Sequence, residues 1–230
     1  MKIDYYALSD IGRIRKENQD NYLVIDNGES GFLCAVFDGV GGCDDGKYAS
    51  EFLRTSLENI FFKNDVFGKK DVFKQQDCII NAIELLNTKL VAESEKRGEN
   101  LYSTMSILYL YEDLYFIGHV GDSRVYNIRD YSLFRLTKDD NPEQGNSNVL
   151  LQAIGTGSNI TPQVYFENTF SDDYFLLCTD GLTNHVGEDF ILETICSQKK
   201  TVDEKVIDLI EKSLSRGGLD NITAILVKIG

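Results

Sequence analysis

Two stretches of helical period, residues 47–62 and roughly 76–97, lie between groups of short apolar runs, and this ordering restricts the fold more than any other feature. In the first stretch Ala49, Phe52, Leu53, Leu57, Ile60 and Phe61 share one face, with Glu51, Arg54 and Glu58 off it. In the second, Ile79, Ile83, Leu86 and Leu90 form the inner stripe. Residues 3–8, 22–26 and 31–37 read as strands ahead of them. Behind them come runs at 104–111, 114–120, 124–129 and 133–136, with tight links at Glu112–Asp113, Gly121–Asp122 and Arg129–Asp130. Links this short cannot make parallel crossovers, so the four runs are expected to form one antiparallel meander. An irregular stretch at 139–162 precedes a strand at 174–179, helices at 187–196 and 202–215, and a strand at 222–229. The order is neither repeated βαβ nor all β. It predicts an α+β fold in which two antiparallel β-sheets form a central sandwich flanked by pairs of α-helices. Only two prolines occur, Pro142 and Pro162, and no linker composition breaks the chain, so residues 1–230 are expected to form a single domain.

Charge and cysteine usage narrow the function classes. With 37 acidic against 23 basic residues the net charge is −14, which repels a phosphate backbone and makes nucleic acid an unsuitable partner. No basic amphipathic helix or Lys/Arg tract points to a membrane surface, and no apolar run approaches a membrane span. The five cysteines (Cys34, Cys43, Cys78, Cys178 and Cys196) are odd in number and lack CxxC spacing, as expected of a reducing compartment. The N-terminal MKIDYYALSD has no apolar h-region. A cytoplasmic location is expected.

Four aspartates stand at the ends of apolar strands beside small or turn-forming residues: Asp38 in CAVFDGVGG, Asp122 in IGHVGDSR, Asp180 in YFLLCTDG and Asp220 in GGLDNIT. One such aspartate is ordinarily a turn cap. Four on separate strands point to a shared oxygen-ligand site for a hard cation, because lone buried carboxylates cost several kcal/mol. Other motifs fail. Residues 41–47 read G-x-x-x-x-G-K, but Tyr48 stands where a P-loop needs Ser or Thr, and Asp44 and Asp45 would repel phosphate. No HExxH, GxSxG or kinase signature occurs. His119 in an apolar strand and His185 in a polar loop read as structural.

With these residues in view, the chain resembles the protein phosphatase 2C family (PPM, metal-dependent phosphatases). SDIGRIRKENQDNY, FDGVGG, STMSILYL with GHVGDSRVY, LLCTDGLTN and LDNITAILV resemble the family's motifs in the family's order. The resemblance implies hydrolysis of phosphoserine and phosphothreonine on proteins by a metal-activated water, in opposition to a bacterial serine/threonine kinase. It implies Mn²⁺ or Mg²⁺ as cofactor, two core ions with a third possible. Asp38 would bridge the two, Gly39 would offer its carbonyl, and Asp180 and Asp220 would hold the first. Asp122 would serve a third ion, and Arg15, in the arrangement R-x-x-N-x-D, would bind the substrate phosphate. Asp20, Gln19 and Asn221 would stand just outside the ligands.

The chain departs from the family's pattern at three positions. Val40 stands where eukaryotic members place a histidine, which bacterial members also lack. Gln19 replaces a glutamate beside Asp20, and Asn184 replaces an aspartate after the Asp180 motif. The 139–162 segment is also shorter than a typical flap. Gln19 and Asn184 leave open a catalytically weak pseudophosphatase acting as a binding module. A phosphohydrolase of small phosphate esters is also open, since the residues alone do not separate it from a protein phosphatase.

Overall fold

The structure is a computed structural model that describes residues 2–28, 31–40, 43–63, 71–142, 150–157 and 159–230. Three strands open the chain, β1 (Ile3–Asp10), β2 (Asp20–Asp26) and β3 (Phe32–Asp38), followed by helices α1 (Gly46–Lys63) and α2 (Val72–Arg97). Six strands follow: β4 (Met105–Tyr111), β5 (Leu114–Val120), β6 (Arg124–Arg129), β7 (Ser132–Arg135), β8 (Gln163–Asn168) and β9 (Tyr174–Cys178). The short α3 (Asp180–Thr183), then α4 (Glu188–Cys196), α5 (Val202–Ser215) and β10 (Ile222–Ile229) complete the order.

The strands form two five-stranded antiparallel sheets, ordered β1-β10-β9-β6-β7 and β2-β3-β4-β5-β8. Alternation along β3 shows how they stack. Phe32, Cys34 and Val36 meet Phe175, Leu177, Ile225 and Val227 of the other sheet, while Leu33, Ala35 and Phe37 pack on α1 and α2. A strand buried on both faces must be apolar throughout, which is why residues 32–37 read as an unbroken apolar run. Each such side chain withdrawn from water contributes about 1.5–3 kcal/mol before entropy is counted. A third core joins α4 and α5, through Ile191, Ile195, Val206 and Leu209, to Leu176, Cys178 and Leu226. The expected sandwich of two sheets between helix pairs is what forms.

The four-strand meander is not. β4 pairs with β5 in one sheet, whereas β6 pairs with β7 and β9 in the other. The chain changes sheet between Val120 and Arg124. A short link forbids a parallel crossover, but it can still span two sheets packed about 10 Å apart. Gly121 makes the bend with φ at 110°, and a Cβ there would stand 2.7 Å from the Thr104 side chain. β8 was not expected either. It lies at a sheet edge against β5, so its residues are only partly buried and their pattern is weak. Helix α2 begins four residues ahead of the expected 76, because the Asp71 side chain accepts from the Lys74 backbone N–H and caps it there.

Part of the irregular 139–162 stretch (143–149 and 158) and the glycines at 41 and 42 of the P-loop-like stretch lie outside the described residues. Asp44 and Asp45 are structural: Asp44 accepts from the Asn100 N–H at 2.7 Å, and Asp45 caps the Tyr48 N–H at 2.9 Å and pairs with Arg97. No helix among the described residues is long and apolar enough to cross a membrane.

Candidate active site

Strand ends of both sheets meet at one end of the sandwich. Asp38 ends β3 directly opposite Asp20, the first residue of β2. Asp122 lies in the sheet-changing link, Asp180 opens α3 where β9 ends, and Asp220 precedes β10. These elements surround an open cavity of about 600 Å³ whose lining includes Arg15, Gln19, Asp38, Gly39, Asp122, Asp180, Asp220 and Asn221. Every candidate residue from the sequence is therefore in the cavity wall except Asp20, which is buried beneath it.

Close backbone approach shapes the floor. Gly39 gives its N–H to the Gln19 carbonyl at 3.2 Å, and a Cβ on it would stand 2.2 Å from the Gly46 carbonyl oxygen, so only glycine fits after Asp38. Asn221 organises the 11–19 loop rather than pointing a free group into the cavity. Its amide donates to the carbonyls of Ile11 and Glu17 at 2.9 and 3.0 Å, and its oxygen accepts from the Gln19 N–H at 2.8 Å. The loop so held presents Arg15, whose Nη2 donates to Asp220 Oδ2 at 2.7 Å. That bond raises the Arg15 pKa further, and nearby Asp38 and Asp180 add to it. Asn184 donates to Asp180 Oδ2 at 3.1 Å, a bond the more usual aspartate would make only if protonated.

The carboxylates strain against burial and one another. Desolvation, then the charges of Asp20, Asp180 and Asp122, holds the Asp38 carboxyl well above the usual range. Burial followed by Asp180 and Asp139 lifts Asp122 to about 7. Burial and then Asp220 raise Asp180. Asp20 is lifted to about 7 by burial, although Thr223 and Thr179 donate to its Oδ2 at 2.7 and 2.8 Å. Its Oδ1 has no hydrogen-bond partner among the described residues.

Among the described residues, no three His, Cys, Asp or Glu side chains are drawn into a ready ligand cluster. Carboxylates brought near one another without a cation repel, so the charge there is held by positive ions or by protons. The donor set nonetheless fits hard divalent cations: the candidate ligands Asp38, Gly39, Asp122, Asp180 and Asp220 all offer oxygen, the ionised forms of Asp38, Asp122 and Asp180 are disfavoured without positive charge, and one buried carboxylate oxygen beneath them is unsatisfied.

Three further cavity residues were not singled out in the sequence: Thr104, Leu150 and Leu219. Thr104 lies in STMSILYL, and its position within a resembling motif was the available signal. His185, expected to be structural, does line the cavity, carried there by α3 with its Nδ1 3.2 Å from the Gly181 carbonyl. His119 is structural as expected: it is fully buried, and its Nδ1 and Nε2 lie 2.8 and 3.2 Å from Ser106 Oγ and the Lys138 carbonyl.

Comparison with known proteins gives the same picture. The protein phosphatase 2C pattern matches residues 14–216. The chain is 31% identical over 238 residues to the serine/threonine phosphatase stp of Listeria monocytogenes, covering 96% of this chain and 93% of that protein. It is 29% identical to the serine/threonine protein phosphatase PstP of Mycobacterium tuberculosis, over 98% of this chain and 45% of that longer protein. The S. agalactiae serine/threonine phosphatase superposes with a TM-score of 0.89 at 26% identity, with all of both chains covered. The catalytic domain of PstP, solved in complex with two manganese ions, superposes with a TM-score of 0.84 at 26% identity over 99% of each chain. With the sandwich, the ring of aspartates and the ordered motifs all in place along 14–216, this chain belongs to the protein phosphatase 2C family.

Proposed function

We propose that the protein hydrolyses phosphoserine and phosphothreonine on other proteins, using Mn²⁺ or Mg²⁺. The observation that carries this reading is the convergence of Asp38, Asp122, Asp180 and Asp220 on one cavity that Arg15 also lines. Asp38 would serve two core ions and the Gly39 carbonyl one of them, with Asp180 and Asp220 holding the first ion and Asp122 a third. When bound, such ions lower the pKa of a coordinated water into the neutral range and offset charge on the phosphoryl oxygens.

The chain's own groups do the remainder. Arg15 presents a planar, permanently charged fork that matches two phosphoryl oxygens and fixes the ester in the cavity. Asn221 holds the loop from which Arg15 projects. Thr104 accepts the Asp38 backbone N–H at 3.0 Å and keeps that carboxylate's strand end in place. Gln19 offers a neutral amide where a charged ligand would bind cations more tightly.

Two other readings are weaker. A pseudophosphatase would not need to keep Arg15 and every one of the clustered aspartates. A small-ester hydrolase is disfavoured because the relatives named above are serine/threonine phosphatases. Opposition to a serine/threonine kinase of the same cell follows from the proposed substrate. The cytoplasmic assignment is supported by five cysteines that are all free, three of them buried. We also take residues 1–230 as one domain, since the two sheets share a core.

Phosphate release from phosphothreonine peptides, measured with and without Mn²⁺, tests the reading. Release that requires Mn²⁺ and stops on chelation is expected. Release that persists at full rate in excess chelator, or none at any Mn²⁺ concentration, would sink it.

A further inference from the structure

On one side of the cavity the 11–19 loop lies against residues 212–221, the last turn of α5 and the loop that follows it. Arg13 gives its backbone N–H to the Gly218 carbonyl at 2.7 Å, and its Nε donates to the Leu214 carbonyl at 2.9 Å. Arg216 Nη1 donates to the carbonyl of His185, itself a cavity residue, at 2.7 Å. The two segments carry five cations, Arg13, Arg15, Lys16, Lys212 and Arg216, against two acids, Glu17 and Asp220. Both acids are already engaged, Glu17 with Lys47 and Asp220 with Arg15. Of the acids that flank the segments, Asp10 is turned onto the Gly12 N–H, and Glu211 lies a turn earlier on α5.

Arg13, Lys16 and Arg216 are exposed and make no ion pair among the described residues. Each arginine anchors on a backbone carbonyl through one donor of its guanidinium, and each carries five. Helix-end capping accounts for the anchoring of Arg13 to Leu214, but not for a run of unpaired cations on a chain of net charge −14. Exposed Ile14 and Leu219 stand among them, Leu219 also lining the cavity, so the wall offers apolar contact beside the charge.

We propose that this wall, Arg13, Lys16 and Arg216 with Leu219, is a docking surface for acidic residues flanking the phosphorylated side chain, so that the enzyme selects phosphopeptides with acidic flanks. This rests on the phosphatase reading above. A carboxylate two or three residues from the phosphoresidue meets unneutralised guanidinium groups as the phosphate meets Arg15. Pairing of this kind raises association rate and selectivity more than bulk affinity, and salt screens it. A long polyanion such as nucleic acid gains the same contacts but must also cross the acidic remainder of the surface.

Three fluorescent peptides carrying a non-hydrolysable phosphonate in place of phosphothreonine, with acidic, neutral or basic flanks, test the proposal by anisotropy in Mn²⁺ at low ionic strength. The acidic-flanked peptide is expected to bind about 3- to 10-fold tighter than the neutral one, as two or three exposed charge pairs would give. That advantage should vanish in about 0.5 M salt, where screening shortens to a few ångströms. Arg13→Gln with Arg216→Gln should reduce the acidic-to-neutral ratio severalfold. If that double variant proves unfolded by circular dichroism, Lys16→Glu, which breaks no hydrogen bond, must lower the ratio instead. Equal binding of all three peptides, a preference for the basic flank, or a ratio unmoved in the folded variants would overturn it. Phosphate release from the matching phosphothreonine peptides is measured separately: acidic preference without any release would count against the phosphatase reading and leave the docking surface standing.

Discussion

Thr104 Oγ1 lies 2.7 Å from Ser123 Oγ inside the protein, so a single hydroxyl pair joins the end of β3, which carries Asp38, to the link that carries Asp122. Thr104 also accepts the Asp38 N–H at 3.0 Å and returns its own N–H to the Asp38 carbonyl at 2.8 Å. One side chain thus ties the strand end that carries Asp38 to the sheet-changing link that carries Asp122. Thr104→Val keeps the shape but leaves the Asp38 N–H and the Ser123 hydroxyl unpaired, at a cost of about 1–3 kcal/mol in unfolding free energy. Turnover should fall about 10-fold or more, since small displacements of reacting groups are expensive, and Thr104→Ser should restore most of it. Urea denaturation and phosphate release on the three proteins check this, and a valine variant of normal turnover would refute the positioning role.

The aspartates should separate by substitution. Asp38→Ala is expected to be the most damaging, because Asp38 would serve both core ions, while Asp180→Ala and Asp220→Ala should chiefly weaken the first. Asp122→Ala should leave two ions bound and lower turnover. Calorimetric Mn²⁺ titration with parallel phosphate release distinguishes them. Near-normal turnover of Asp38→Ala at saturating Mn²⁺ would contradict the two-ion arrangement, and loss of all metal binding in Asp122→Ala would make it a core ligand.

Gln19 lines the cavity, with its backbone held on both sides by Gly39 and Asn221. Its side chain can therefore change without unseating the loop. Gln19→Glu adds a charged oxygen donor, and affinity for hard cations follows ligand charge. The variant should reach half-maximal activity at lower Mn²⁺ with little change in melting temperature. Superimposable metal titrations for the two proteins would mean that Gln19 lies outside the coordination shell.

The raised carboxyl pKa values give the metal-free protein an unusual pH dependence. Asp20 and Asp122 both stand at about 7, against an ordinary value of 3.8. Between about pH 4 and 7 the folded chain holds protons that the unfolded chain has released, so stability falls as pH rises through that window. A shift of this size on a buried carboxyl corresponds to about 2–4 kcal/mol for Asp20 and less for the more open Asp122. In chelator the melting temperature should be higher at pH 5.5 than at pH 8, and Mn²⁺ at pH 8 should recover the difference. A chelated protein more stable at pH 8 would show that these carboxyls are ionised at no cost in the folded chain.

The elements themselves were legible in the sequence because their causes are local. Helical period places Leu53 and Leu57 on one face of α1, an unbroken apolar run marks β3 as buried on both sides, and Asp38, Asp122, Asp180 and Asp220 each stand at an end of an apolar run. Asp38, Asp122, Asp180 and Asp220, which line the cavity, stood out for the same reason, whereas Arg15, Gln19, Gly39 and Asn221, which line it too, were singled out only through the order of the family-like motifs. Which sheet a strand joins is not local. β5 and β6 are separated by three residues, and only the packing of one sheet over the other, with Gly121 bending against Thr104, sends β6 away from β5. Edge strand β8 depends on its partner β5 in the same way. The tertiary structure alone decided that Thr104 would join Asp38 to Asp122, that His185 would reach the cavity, and that Arg13 would lie beside Arg216, because these pairings join segments up to about 200 residues apart whose contact free energy exists only once both sheets have formed.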